Sequence, residues 1–191
     1  PTGNVRDRIA GLEASCIDMA MPLLILRAAD LGKSGHEPPA ELEADRTLVG
    51  RLEAIRREAG VLMGLGNVNE RVIPKPVLVS EPRAGGTLNV RYFTPRTCHR
   101  AIAATGAVGL ATACVTPGSL AHEIAGPQAS GPTVQVLVEH PAGCLPIELE
   151  LAAPGAEVPV LRASLVRTAR RLFAGSVFVP DAIPTISQGD S

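Results

Sequence analysis

Cys98 and His99 stand side by side in Tyr92-Phe93-Thr94-Pro95-Arg96-Thr97-Cys98-His99-Arg100, flanked by Arg96 and Arg100. A thiol and an imidazole can take and return protons near neutral pH, and guanidinium groups pair with carboxylates. The local pattern predicts that they open a helix. An apolar strand stops at Pro95, and Thr97 stands where an N-cap belongs. The run that follows, Ala101-Ile102-Ala103-Ala104-Thr105-Gly106-Ala107, has almost no bulk and reads as a buried central helix. Its first turn would carry Cys98 and His99, where free N–H groups and the helix dipole bind anions and lower thiol pKa values. Cys98 and His99 are therefore the candidate catalytic pair, with Arg96, Thr97, Thr105 and Gly106 as candidate substrate contacts. Plainer readings stand beside these. Cys98 could be a buried apolar residue, His99 could bond a neighbouring carbonyl, and Thr105 and Gly106 could serve close packing.

Other reactive side chains form no pattern. Cys16, Cys114 and Cys144 lie far apart and are assigned to packing, and no Cys/His spacing suggests a metal. His36, His122 and His140 fall in loops. Lys75, between two prolines in a strand, is a possible carboxylate anchor but is left outside the candidate set. Met63-Gly64-Leu65-Gly66-Asn67 is glycine-rich without being G-x-G-x-x-G, so it reads as a tight loop needing positive φ.

The elements that must position this stretch follow from periodicity. Leu42, Leu48, Val49, Leu52, Ile55 and Ala59 predict one amphipathic helix over 40–59, with Pro38, Pro39 and Gly60 as its punctuation. Two short strands, or one strand with a bulge, are expected between 14 and 28, divided at Pro22. Others are expected over 72–80, 87–93, 158–168 and 175–179, with a hairpin of 133–139 and 145–151 around 140–143. Residues 30–39 and 116–132 read as loops, and 183–191 as a tail. Runs of strands with two helices predict an α+β fold, a sheet wrapped around the central helix, over a doubly wound α/β fold.

Composition narrows the partners. With 46% apolar residues the 191-residue chain can bury one good core, and a net charge of −1 without charged blocks argues against nucleic acid or a membrane surface as partner. The apolar run 101–115 is too short to span a bilayer, so a reduced, cytoplasmic protein is expected. Starting at Pro1 inside a structured-looking stretch, the chain reads as a piece of something longer.

Several stretches together resemble a known family. They are 63–68, the pattern Arg91-Tyr92-Phe93-x-Pro95-x-x-Cys98-His99, Thr105-Gly106-Ala107, and Arg167 to Pro180. The chain is similar to the 2-methylaconitate isomerase (PrpF) family, most to its 4-oxalomesaconate tautomerase branch, which acts in bacterial gallate degradation. That resemblance implies a diaminopimelate-epimerase-like half, a β half-barrel around a central helix, with 1–191 as the second domain of two and the first domain absent. It implies a cofactor-independent enzyme that moves a proton at carbon in a small unsaturated tricarboxylate, or a 2-methylaconitate-type isomerase. The family's Cys-Gly-Asn segment has no counterpart here, and Asn67 stands where the family usually has Asp. A bare half-interface would be apolar and favour a homodimer. The rival reading is a non-catalytic half-domain that binds an anion or a partner chain.

Overall fold

The computed structural model describes residues 1–127, 131–153, 160–165, 170–176 and 178. Among the described residues, eight strands follow one another across a single sheet in chain order: β1 (Asp7–Ile9), β2 (Leu12–Asp18), β3 (Pro22–Arg27), β4 (Lys75–Ser80), β5 (Leu88–Tyr92), β6 (Thr133–His140), β7 (Gly143–Leu151) and β8 (Val160–Leu165). β3 with β4 and β5 with β6 are parallel, and the other neighbours antiparallel. The sheet is open, with β1 and β8 at its two edges.

Strand alternation divides the apolar residues between two cores. Leu23, Ile25, Val77, Val79, Leu88, Val90 and Tyr92 face helix α3 (Ala104–Cys114). Leu24, Leu26, Leu78 and Phe93 face α1 (Pro39–Ala44) and α2 (Arg46–Leu62) on the other side. Helix α3 touches β2 and β3 as well as β6, β7 and β8, so the sheet bends around it. The small side chains of α3 permit this. A Cβ on Gly109 would lie 2.7 Å from Leu23 of β3, and one on Gly106 would enter the ring of Tyr92. The central helix and the α+β arrangement read from the sequence are present.

Some expected boundaries move. The helix over 40–59 breaks at Asp45, whose carboxylate accepts from the Leu48 N–H at 2.9 Å and caps α2. The loop over 116–132 contains a short helix, α4 (Leu120–Ala125), because the Ser119 hydroxyl accepts from the His122 N–H at 3.0 Å. A short strand, β1, follows the opening turn. The glycine turn behaves as expected, with φ +72° at Gly64 and +69° at Gly66. No strand forms at Gly175, Ser176 or Phe178. Val177, Val179 and the tail over 183–191 lie outside the described residues.

Two buried charges hold the loops of this frame. Arg56 of α2, 1% exposed, donates to the carbonyls of Val68 and Ile73 and pairs with Glu53 at 2.7 Å, fixing the segment that leads into β4. Glu139 of β6, 6% exposed, accepts from the backbone N–H groups of Arg83, Ala84 and Gly86 at 2.6–2.8 Å. Burial opposes its charge, but those three N–H groups outweigh burial and hold its carboxyl below the usual value.

Candidate active site

The central helix begins later than the sequence pattern predicts. Its first residue is Ala104 and its N-cap is Ala103, so Thr97 is not the cap and Cys98 and His99 are not in its first turn. Backbone pairing explains the delay. Thr94 to Thr97 close a turn, the Thr94 N–H donating to the Thr97 carbonyl at 2.8 Å. Cys98 then bridges Phe93, and the His99 N–H donates to the Tyr92 carbonyl at 2.7 Å. The chain runs back along β5 before it can coil.

That short return strand sends Cys98 and His99 to opposite faces, as successive strand residues must go. Cys98 enters the core shared with α1 and α2, 1% exposed, and its N–H donates to Glu43 of α1 at 2.9 Å. Burial pushes its thiol up to about 11, a shift that the Arg91 guanidinium reduces and Glu43 increases. A thiol held protonated in a closed core is a poor base near neutral pH. The two residues do not form a dyad.

His99 goes to the α3 side. Its ring stands edge-on to Tyr92, with centroids 6.2 Å apart. Its Nδ1 accepts from the Ala101 N–H at 3.0 Å, which places the proton of the neutral ring on Nε2. Neutral His99 is therefore set to donate a hydrogen bond. Beside it, α3 starts without a side-chain cap. Ala104 and Thr105 are exposed, and Gly106 lies against the Tyr92 ring. The Ala104, Thr105 and Gly106 N–H groups precede the first intrahelical bond, Ala107 N–H to Ala103 carbonyl at 2.9 Å. Three free donors at the positive end of an eleven-residue helix favour a carboxylate or an enolate oxygen.

The chain matches the family model described as PrpF protein over residues 1–180. It belongs to the PrpF family. It is 47% identical over 180 residues to the 4-oxalomesaconate tautomerase of Pseudomonas putida, covering 94% of this chain and 48% of that protein. It is 30% identical over 202 residues to the 2-methyl-aconitate isomerase of Shewanella oneidensis, covering 94% of this chain and 50% of that protein. The crystal structure of methylitaconate-delta-isomerase superposes with a TM-score of 0.76 at 24% identity, covering 95% of this chain and 54% of that one. The fold is thus the mixed α/β fold of that protein. The chain spans about half the length of the curated relatives it matches.

In this PrpF chain the six predicted site residues separate into three groups. His99, Thr105 and Gly106 gather at the open start of α3. Arg96 and Thr97 lie exposed on the turn before it, where the Thr97 carbonyl closes the turn and no helix is capped. Cys98 sits behind the sheet. Sequence reasoning gave no role to Tyr92, although it is the chain's one tyrosine and lies under the helix start. Among the described residues no group of three or more His, Cys, Asp or Glu side chains could hold a metal ion, and no helix is long and apolar enough to cross a membrane.

Proposed function

We propose that this chain forms one wall of an isomerase site that moves a proton at carbon in an unsaturated tricarboxylate, without a cofactor. The observation that carries the reading is the uncapped start of α3 beside His99, in a chain 47% identical to a 4-oxalomesaconate tautomerase. In such a reaction a base breaks a C–H bond and the electron pair moves through the conjugated system to a carbonyl oxygen. A proton then returns at oxygen or at another carbon. The N–H groups of Ala104, Thr105 and Gly106, with the Nε2–H of His99, meet the charge that develops on oxygen. Arg96, on the exposed turn, meets an outer carboxylate. The hydrogen bond to Nδ1 gives His99 the part of donor, so the carbon base comes from outside this wall.

The substrate we favour is 4-oxalomesaconate, as in gallate degradation, in a cytoplasmic enzyme whose first domain closes the site in the manner of diaminopimelate epimerase. A 2-methylaconitate-type substrate is the second reading, supported by the relative from Shewanella oneidensis. The test follows the ultraviolet change of oxalomesaconate with this chain alone and with the chain joined to the first half of the Pseudomonas putida relative. Turnover in the joined protein that falls at least a hundredfold in His99→Ala, and far less in Cys98→Ser, is the expected result. No turnover of oxalomesaconate, with turnover of 2-methylaconitate, moves the assignment to the second substrate. No turnover of either leaves the anion-binding half-domain.

A further inference from the structure

Lys75 and Tyr92 are polar groups buried on the α3 side of the sheet without partners. Lys75 is 8% exposed and Tyr92 1% exposed, and among the described residues neither makes a hydrogen bond or an ion pair through its side chain. Lysine is almost never buried to this degree unless it is paired. The chain has sixteen arginines and two lysines, and the other lysine, Lys33, is paired with Asp45 at 2.7 Å. No fully buried side-chain nitrogen or oxygen among the described residues lacks a partner. The ammonium of Lys75 and the hydroxyl of Tyr92 therefore reach the surface at their tips while their stems stay buried.

Register places both tips at one rim. Lys75 opens β4 and pairs with Leu23, whose side chain packs under Gly109 of α3. Tyr92 ends β5 opposite Val77, on the same face two residues along, and its ring packs under Gly106. The first turn and a half of α3 thus passes over Leu23 and Tyr92, with Lys75 flanked by the two. His99 lies on the far side of β5, since Phe93 donates toward Pro76 of β4 while Tyr92 accepts from His99. Lys75 and His99 are then two strand spacings of roughly 4.8 Å apart and two residues offset along the strands, about 12 Å in all, a gap that a molecule with several carboxylates can bridge. Behind this rim Arg56 pins Val68 and Ile73, fixing the approach to Lys75.

We propose that Lys75 and Tyr92 form an inner carboxylate subsite at the start of α3, the ammonium supplying charge and the phenol a hydrogen bond. This rests on the tricarboxylate reading above and adds to it the two residues that hold the end of the substrate away from His99. Burial and the nearby Arg56 charge lower the Lys75 pKa in the free chain, and burial pushes the Tyr92 phenol up to about 12, so it stays a donor. An arriving carboxylate gives Lys75 the partner that the fold withholds.

Because the chain has two lysines, carbon-labelled lysine gives two assignable NMR signals, with Lys33 as internal control. Tricarballylate, an unreactive tricarboxylate, is expected to shift the Lys75 signal and raise its apparent pKa, relative to sodium chloride at matched ionic strength. Lys33 should stay still, and Tyr92→Phe should weaken the response. In the joined protein Lys75→Met should raise KM about tenfold or more with kcat nearly kept, the loss of one charged contact. Its melting temperature should be kept, because the Lys75 tip lies at the surface and methionine keeps the buried stem, so a folding defect cannot imitate the result. A Lys75 signal indifferent to tricarballylate, or an unchanged KM in Lys75→Met, overturns the subsite. If Lys75 responds but the joined protein turns over no tricarboxylate, the subsite stands and the isomerase reading falls. Normal turnover with a silent Lys75 does the reverse.

Discussion

Helices α4 and α3 start at nearly the same backbone angles and end up with opposite properties. Ser119 caps α4 at φ −69° and ψ 158°, while Ala103 precedes α3 at φ −68° and ψ 141° with no side chain able to cap it. Helix α2 is likewise capped, by Asp45. Helix α1 also lacks a side-chain cap, but Pro39 at its first position has no N–H to satisfy, whereas α3 leaves three donors at its start. The same contrast divides the two sides of the sheet. Behind it, Arg56, Glu53 and Glu43 each have partners. On the α3 side, the tips of Lys75 and Tyr92 and three helix N–H groups have no protein partner among the described residues. Unfilled hydrogen-bonding capacity costs stability and persists where a ligand uses it.

The sharpest way to break this comparison is on the closed side. Arg56→Leu strands two backbone carbonyls and leaves Glu53 with only the half-exposed Arg57, and should lower unfolding stability by about 3 kcal/mol in urea titration. Glu139→Gln leaves backbone N–H groups poorly matched and should lose about 2 kcal/mol. It also carries a pH signature. With the folded carboxyl below 4.5, the stability it contributes is complete above that pH and is lost as pH falls through the folded value. Melting curves of the Gln variant should therefore be flatter on the acid side, and parallel curves for the two proteins would remove Glu139 from the account.

On the open side the expected effects are smaller and change sign. In Gly106→Ala the new Cβ would lie 2.9 Å from Cζ of Tyr92, so thermal unfolding should show a loss of about 1–2 kcal/mol. Ala103→Ser should instead stabilise by about 0.5–1 kcal/mol, since serine at those angles can take the Gly106 N–H as Ser119 takes that of His122. If α3 binds the substrate, the same variant should lose tricarboxylate affinity. A gain in stability with unchanged KM would put the site elsewhere. Arg57→Ala, which removes a half-exposed partner of Glu53, should move stability by only about 0.3 kcal/mol, and a larger loss would mean that α2 depends on its surface.

The sequence was a better guide to elements than to how neighbours along the chain divide in space. The small-residue run announced α3 because only such residues let Leu23 and Tyr92 approach its backbone. Placing Cys98 in that helix failed because an N-cap signature at Thr97 competed with a return strand along β5, and pairing with Phe93 and Tyr92 prevailed. Helix α4 was hidden by its six-residue length among glycines and prolines, although Ser119 was its legible cap. Lys75 was legible as a possible carboxylate anchor between two prolines, but its partnership with Tyr92 had no local sign, since the two come together through β4–β5 register and the crossing of α3.

By itself the sequence determined seven of the eight described strands, the amphipathic helical stretch, the bare central helix and the family likeness, all of which rest on periodicity and on residue types close in the chain. Tertiary structure alone decided which face each chemical group occupies. A strand turns successive side chains to opposite sides, so adjacent Cys98 and His99 were parted, the one into a closed core and the other to the open start of α3. The helix that gives His99 its setting begins at Ala104, where the return strand releases the chain to coil.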